Sequence, residues 1–226
     1  MDVMAKETTL PQAPHAGEPI LTAGESLDRA TAAMVLVHGR GGTAEGILSL
    51  ASELNQPGFA FLAPQAAGNT WYPLSFLAPI ERNEPYLSGA LDALTALLDR
   101  LEEAGIPAER TILLGFSQGA CLALEFAARN AKRYGGLAGL SGGLIGPDFT
   151  PRDYTGSLAG TPVFLGCSDV DRHIPKERVV ESGQTLQRLG GEATVRLYPG
   201  MGHTVNQDEL EHVRSMMAAL GTPWTP

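Results

Sequence analysis

The segment Gly115-Phe116-Ser117-Gln118-Gly119 closes an apolar run, Thr111–Gly115, and opens a helical pattern. A G-x-S-x-G sequence in that setting is the signature of a nucleophile elbow, where a sharp strand-to-helix turn exposes a serine hydroxyl. Such a turn forces the serine into a strained backbone region, tolerated only if the neighbours two residues to either side are small. Gly115 and Gly119 meet that need. The helix then offers free N–H groups beside Ser117, and the backbone amide of Gln118 can stabilise negative charge developing on a carbonyl oxygen. The chemistry implied is acyl transfer. A glycine-flanked loop serine is the competing reading, and the strand before and the helix after weigh against it.

A serine alcohol is a poor nucleophile until a histidine takes its proton and an acid holds that imidazole in the right tautomer. Behind an elbow of this kind the partners follow in the order Ser, Asp or Glu, His, on loops after later strands. His203 fits: it follows the run Thr194–Tyr198 across the turn Pro199-Gly-Met-Gly202 and precedes the last helical pattern. His15 lies near the N-terminus, His38 precedes the serine, and His212 falls inside a helix. The stretch Cys167-Ser-Asp169-Val-Asp171-Arg-His173 offers two acids, Asp169 and Asp171, of which only one can face His203. The same alternation of Cys, Asp and His has metal-ligand character, but nothing elsewhere supplies a second ligand cluster, so no metal is expected.

Acyl transfer also needs a second donor to the oxyanion. His38-Gly39-Arg40-Gly41-Gly42 ends the early run Ala33–Val37 and lacks the G-K-[ST] ending of a phosphate loop. A glycine-rich turn there lets a backbone amide approach closely, and Arg40 is the candidate donor. His38 is expected to hold that loop in place and take no part in the chemistry.

Positioning these residues requires strands that end at one edge. Apolar runs at Ala33–Val37, Phe59–Ala63, Thr111–Gly115, Leu137–Leu140, Pro162–Cys167 and Thr194–Tyr198 alternate with helical patterns, which predicts βαβ units around a mostly parallel sheet covered on both faces. An antiparallel edge strand near Ile20–Ala23 is also expected. Leu87, Leu91, Leu94, Leu98 and Leu101 step by 4, 3, 4 and 3, placing one leucine stripe on a helix with Pro85 in its first turn and Gly105 past its end. Further helices are expected over 118–130, 176–189 and 207–220, the last with a capping-box start at Asn206.

The chain has 226 residues, 43% of them apolar, enough for one domain with a large core. Residues 1–17, with no apolar core of about 7–15 residues, are expected to be a flexible arm and not a secretory signal, leaving 18–226 as a single domain. The net charge of −9 repels phosphate backbones and anionic membrane surfaces, so nucleic acid is excluded as a partner. The uncharged run Leu54–Ile80 is broken by four prolines and is not a membrane span. Two separated cysteines, Cys121 and Cys167, indicate no disulfide framework and a reducing, cytoplasmic compartment.

Taken together these motifs resemble the phospholipase/carboxylesterase family of α/β-hydrolases, the group that includes acyl-protein thioesterases. The likeness runs from about Ala32 to the final helix: the strand ending in His38-Gly39, Gly105-Ile-Pro leading to Arg110-Thr-Ile-Leu-Leu-Gly-Phe-Ser117-Gln-Gly, Thr161-Pro-Val through Ile174-Pro175, and Tyr198-Pro-Gly-Met-Gly-His203. The resemblance implies an α/β-hydrolase fold with helices on both faces and no large cap domain. It selects Asp171 as the acid, four residues before Pro175 in D-x-x-[VI]-P, and puts the oxyanion position on Arg40, where apolar residues are common in the thioesterase branch. It also matches Trp71 and Tyr72 to an aromatic pair near the active-site entrance. The resemblance alone points to a homodimer.

The expected activity is hydrolysis of small or short-acyl carboxylic esters through a covalent acyl-serine, with no metal or organic cofactor. Hydrolysis of acyl thioesters is the nearest alternative. Dienelactone hydrolysis is disfavoured, because relatives specialised for it carry cysteine at the position of Ser117. A non-catalytic binding module on the same fold is the reading from a different class.

Overall fold

A computed structural model describes residues 13–221. Seven strands form one sheet among the described residues: β1 (Ile20–Gly24), β2 (Ala32–Val37), β3 (Phe59–Pro64), β4 (Thr111–Phe116), β5 (Gly136–Leu140), β6 (Pro162–Ser168) and β7 (Glu192–Tyr198). Their order is β1-β3-β2-β4-β5-β6-β7, with β1 antiparallel to β3 and every other pair parallel. The six parallel strands lie within a residue or two of the apolar runs that predicted them. β2, β3 and β5 are buried along their whole length, which is why they read as unbroken apolar runs and not as alternations.

Among the described residues six α-helices cover the two faces: α1 (Ala44–Leu48), α2 (Leu50–Glu53), α3 (Tyr86–Glu103), α4 (Gln118–Arg129), α5 (Lys176–Arg188) and α6 (Gln207–Leu220). The period of two in β2 divides its side chains between separate cores. Ala33, Val35 and Val37 pack with the leucine stripe of α3, with α4, and with Val179 and Leu186 of α5. Ala32, Met34 and Leu36 pack with Ala44 and Ile47 of α1 and with Leu210, Val213 and Met217 of α6. In α3, Leu87, Leu94, Leu98 and Leu101 are buried and Leu91 half-buried; Pro85 caps the helix instead of lying in its first turn. The short helices α1 and α2 carry too few turns to show a period, and the sequence pattern did not mark them.

No described helix is long and apolar enough to cross a membrane. Of the expected arm over residues 1–17, residues 1–12 lie outside the described residues, and within the remainder His15 is buried. Its Nε2 lies 3.0 Å from the Trp71 carbonyl oxygen, and its Nδ1 accepts from the Ala67 amide at 3.0 Å. A histidine that satisfies two backbone groups of a distant loop leaves no local pattern, so nothing in the sequence marked this contact.

Candidate active site

The strands β2, β4, β6 and β7 are parallel, so their C-terminal ends meet at one edge, where a sheet of this kind leaves a crevice for ligands. Ser117 stands between β4 and α4 with φ 55° and ψ −120°, the strained conformation expected of an elbow. Its amide donates to the Leu140 carbonyl at 2.9 Å. A Cβ on Gly115 would collide with the Gly119 backbone, and one on Gly119 with the Val37 carbonyl, so the two glycines let β4, α4 and the end of β2 close on one another.

His203 reaches the serine from the loop after β7. Its Nε2 lies 2.8 Å from Ser117 Oγ and its Nδ1 2.6 Å from Asp171 Oδ2. A carboxylate only accepts, so Nδ1–H donates to Asp171 and the bare Nε2 is left to accept from the serine hydroxyl. The Asp171 side chain is fully shielded from solvent, and its Oδ1 accepts from the His173 and Ile174 amides at 2.8 and 3.1 Å. Burial pushes this carboxyl up, but the hydrogen bonds from His203 and the two amides outweigh it and hold it below the ordinary aspartate value.

The second acid takes a different part. Asp169 Oδ1 accepts from the Gly200 amide at 2.8 Å, and Ser168 Oγ accepts from the Gly202 amide at 3.1 Å, so this end of β6 anchors the turn that carries His203. Two carboxylates that were alternatives in the sequence divide the work of holding one imidazole. The rings of Phe116 and His173 flank it at 5.0 and 4.9 Å between centroids. Among the described residues no group of three or more His, Cys, Asp or Glu side chains could hold a metal ion.

The turn after β2 presses against Ser117: a Cβ on Gly39 would come within 3.2 Å of that of the serine. His38 pins the turn, with Nδ1 2.8 Å from the Gly39 carbonyl oxygen and Nε2 accepting from the Ala66 amide at 3.1 Å. The backbone amides of Arg40 and Gln118 have no partner among the described residues, which leaves both available to a third group. Sequence reasoning missed the Gln118 side chain. Its Oε1 accepts from the Trp71 amide at 2.9 Å and its Nε2 donates to the Tyr72 carbonyl at 2.8 Å, tying the elbow to the long segment between β3 and α3.

That segment walls a cavity of about 460 Å³ on whose lining Ser117 and His203 both appear. Tyr72 lines it with Leu74, Phe76 and Ile174. Trp71, expected beside Tyr72 at the entrance, is a correction. Its indole is fully buried outside the cavity lining, donates from Nε1 to the His38 carbonyl at 2.8 Å, and packs against the rings of His15 and His38. An indole that must satisfy its own N–H inside the core is fixed there as a support of the turn after β2.

The helix that follows His203 carries a titratable group with no part in this chain of hydrogen bonds. Glu209 is fully buried; its Oε2 accepts from the Asn206 amide at 2.8 Å in a capping box, while Oε1 has no hydrogen-bond partner. Burial raises its carboxyl to about 7; the Asn206 amide opposes the shift and Asp208 adds to it. Because the folded value lies above the unfolded one, the protonated form favours the fold. That stability is complete below about pH 4.5 and is lost as pH rises towards 7, about 3 kcal/mol over the interval. Glu209→Gln should therefore flatten the fall of Tm between about pH 5 and pH 8 relative to the unsubstituted protein; parallel slopes in the two melting series would refute this.

The family described as phospholipase/carboxylesterase matches residues 21–220. A phospholipase/carboxylesterase from Dyadobacter fermentans superimposes with a TM-score of 0.85 at 42% identity, covering 89% of this chain and 96% of that one. The esterase PE8 follows with a TM-score of 0.74 at 26% identity over 90% of this chain and 98% of that one. Acyl-protein thioesterase 1 of Gibberella zeae is 33% identical over 124 residues, 54% of this chain and 52% of the relative, so the chain spans about half the length of that protein. With the fold, the elbow and a match along nearly the whole described length, the chain belongs to the phospholipase/carboxylesterase family of α/β-hydrolases.

Proposed function

We propose that the protein hydrolyses small or short-acyl carboxylic esters through an acyl-enzyme on Ser117. One observation carries this: the hydrogen-bonded series Ser117, His203, Asp171 opens onto a cavity large enough for a small acyl group. His203 Nε2 takes the Ser117 proton as Oγ attacks the carbonyl carbon. The oxyanion is received by the Arg40 and Gln118 amides, and Asp171 stabilises the imidazolium. His203 then protonates the departing alcohol. Water, deprotonated by the same nitrogen, attacks the acyl-serine and releases the acid.

An acyl thioester undergoes the same steps with a thiol leaving, and the Gibberella zeae relative named an acyl-protein thioesterase favours keeping that second reading. Parallel assays of nitrophenyl esters and acyl thioesters of matched chain length separate the two. Turnover of short-chain esters is expected, with a burst of alcohol and fluorophosphonate labelling at Ser117. With Tyr72, Phe76 and Ile174 closing around the acyl group, kcat/KM is expected to fall at least about tenfold from butanoyl to dodecanoyl substrates. A rise with chain length would exclude a short-acyl enzyme, and an unlabelled Ser117 would return the protein to the class of binding modules.

A further inference from the structure

The Arg40 guanidinium lies on the same cavity as Ser117 and His203, carried by the turn whose Gly39 abuts the serine. Nη1 donates to the Pro73 carbonyl at 2.8 Å and Nη2 to that of Leu74, and the group stands 6.0 Å from the centre of the Tyr72 ring. These contacts fix its position without neutralising it. Arg40 has no carboxylate partner among the described residues, and what sets it apart from the other unpaired arginines is its place on the lining of this cavity. The cavity lining holds no Asp or Glu, and the Asp171 carboxylate is sealed behind His203. In a protein of net charge −9, an exposed cation is thus held on the lining of the cavity that Ser117 shares, with its Nε–H uncommitted.

We infer that Arg40 selects esters carrying a second, anionic group a few bonds from the scissile carbonyl, such as hemiesters of short dicarboxylic acids, an assignment that rests on the esterase reading above. A carboxylate in this position supplies the missing counter-ion and accepts charge-assisted hydrogen bonds from a guanidinium already oriented by two backbone carbonyls. Hydrolysis of such a hemiester consumes one water and releases the alcohol, the dicarboxylate and one proton. The acidic surface repels anions at a distance, so discrimination arises on contact and is read in kcat/KM and not in long-range steering.

The test compares monoethyl glutarate with its isosteric amide, ethyl glutaramate, by ethanol release. The unsubstituted protein is expected to favour the carboxylate on the order of tenfold in kcat/KM. Arg40→Gln should bring the ratio close to one, while Arg40→Lys, which keeps the charge, should retain a clear preference. Loss of the loop contacts alone slows both substrates together and leaves the ratio in place, so the ratio reports the charge. A ratio near one in the unsubstituted protein, or one unchanged in Arg40→Gln, overturns the assignment while leaving the esterase reading intact. Absence of Ser117-dependent turnover of either compound and of nitrophenyl acetate overturns both.

Discussion

Ser117→Ala is expected to lower kcat by about 10⁶-fold, to the rate that binding and the oxyanion amides sustain without a nucleophile. The fold should tolerate the change, because the side chain's one hydrogen bond is to His203 and the backbone contact to Leu140 is untouched. The strained φ of 55° costs an alanine about as much as a serine, so Tm should move by little. Steady-state turnover and fluorophosphonate labelling, measured on samples of matched Tm, check the result. Residual activity within about tenfold of the unsubstituted protein would place the nucleophile elsewhere.

Asp171→Asn should cost about 10⁴-fold in kcat at nearly constant geometry. The asparagine oxygen can still accept from the His173 and Ile174 amides, so the loop after β6 stays in place. Its amide nitrogen, facing His203, donates where the carboxylate accepted. Nδ1 must then become the acceptor, and the proton moves to Nε2, where it blocks removal of the serine proton. Asp169→Asn provides the contrast. There the oxygen goes on accepting from Gly200, the His203 turn keeps its anchor, and kcat should change by less than about tenfold. Equal losses in the two variants would mean that the imidazole is oriented by the loop as a whole and not by one carboxylate.

Stability near neutral pH should not report on Asp171. Its folded value is depressed, so the stability it contributes is present above the unfolded carboxyl value and is lost only as pH falls through the folded one. The slope between about pH 5 and pH 8 belongs instead to groups that titrate there: Glu209, raised by burial, which loses stability as pH rises, and His38, lowered by burial, whose contribution has the opposite sign.

Features whose cause is local could be read from the sequence. A strained serine needs small neighbours within two residues, so Gly115 and Gly119 announced the elbow and, with the strand before it, the candidate nucleophile. Strands covered on both faces must be apolar throughout, so the parallel sheet was visible as a series of short runs, and the leucine stripe of α3 as a period near 3.6. Chain order after the elbow left His203 as the candidate base. Residues 167–175 alone could not separate Asp169 from Asp171, since both stand at the same strand end; the family resemblance favoured one, and the packing of β7 beside β6 turned each toward a different atom of the 199–203 loop. Tertiary structure likewise decided that Trp71 supports the turn after β2 from within the core, that Gln118 ties the elbow to residues 70–72, that His15 is buried, and that Arg40 stands at the cavity with no carboxylate partner among the described residues. Each of these depends on polar groups far apart in the chain finding one another, and hydrogen-bond partners at that separation follow from where the sheet brings the loops, which no short-range pattern encodes.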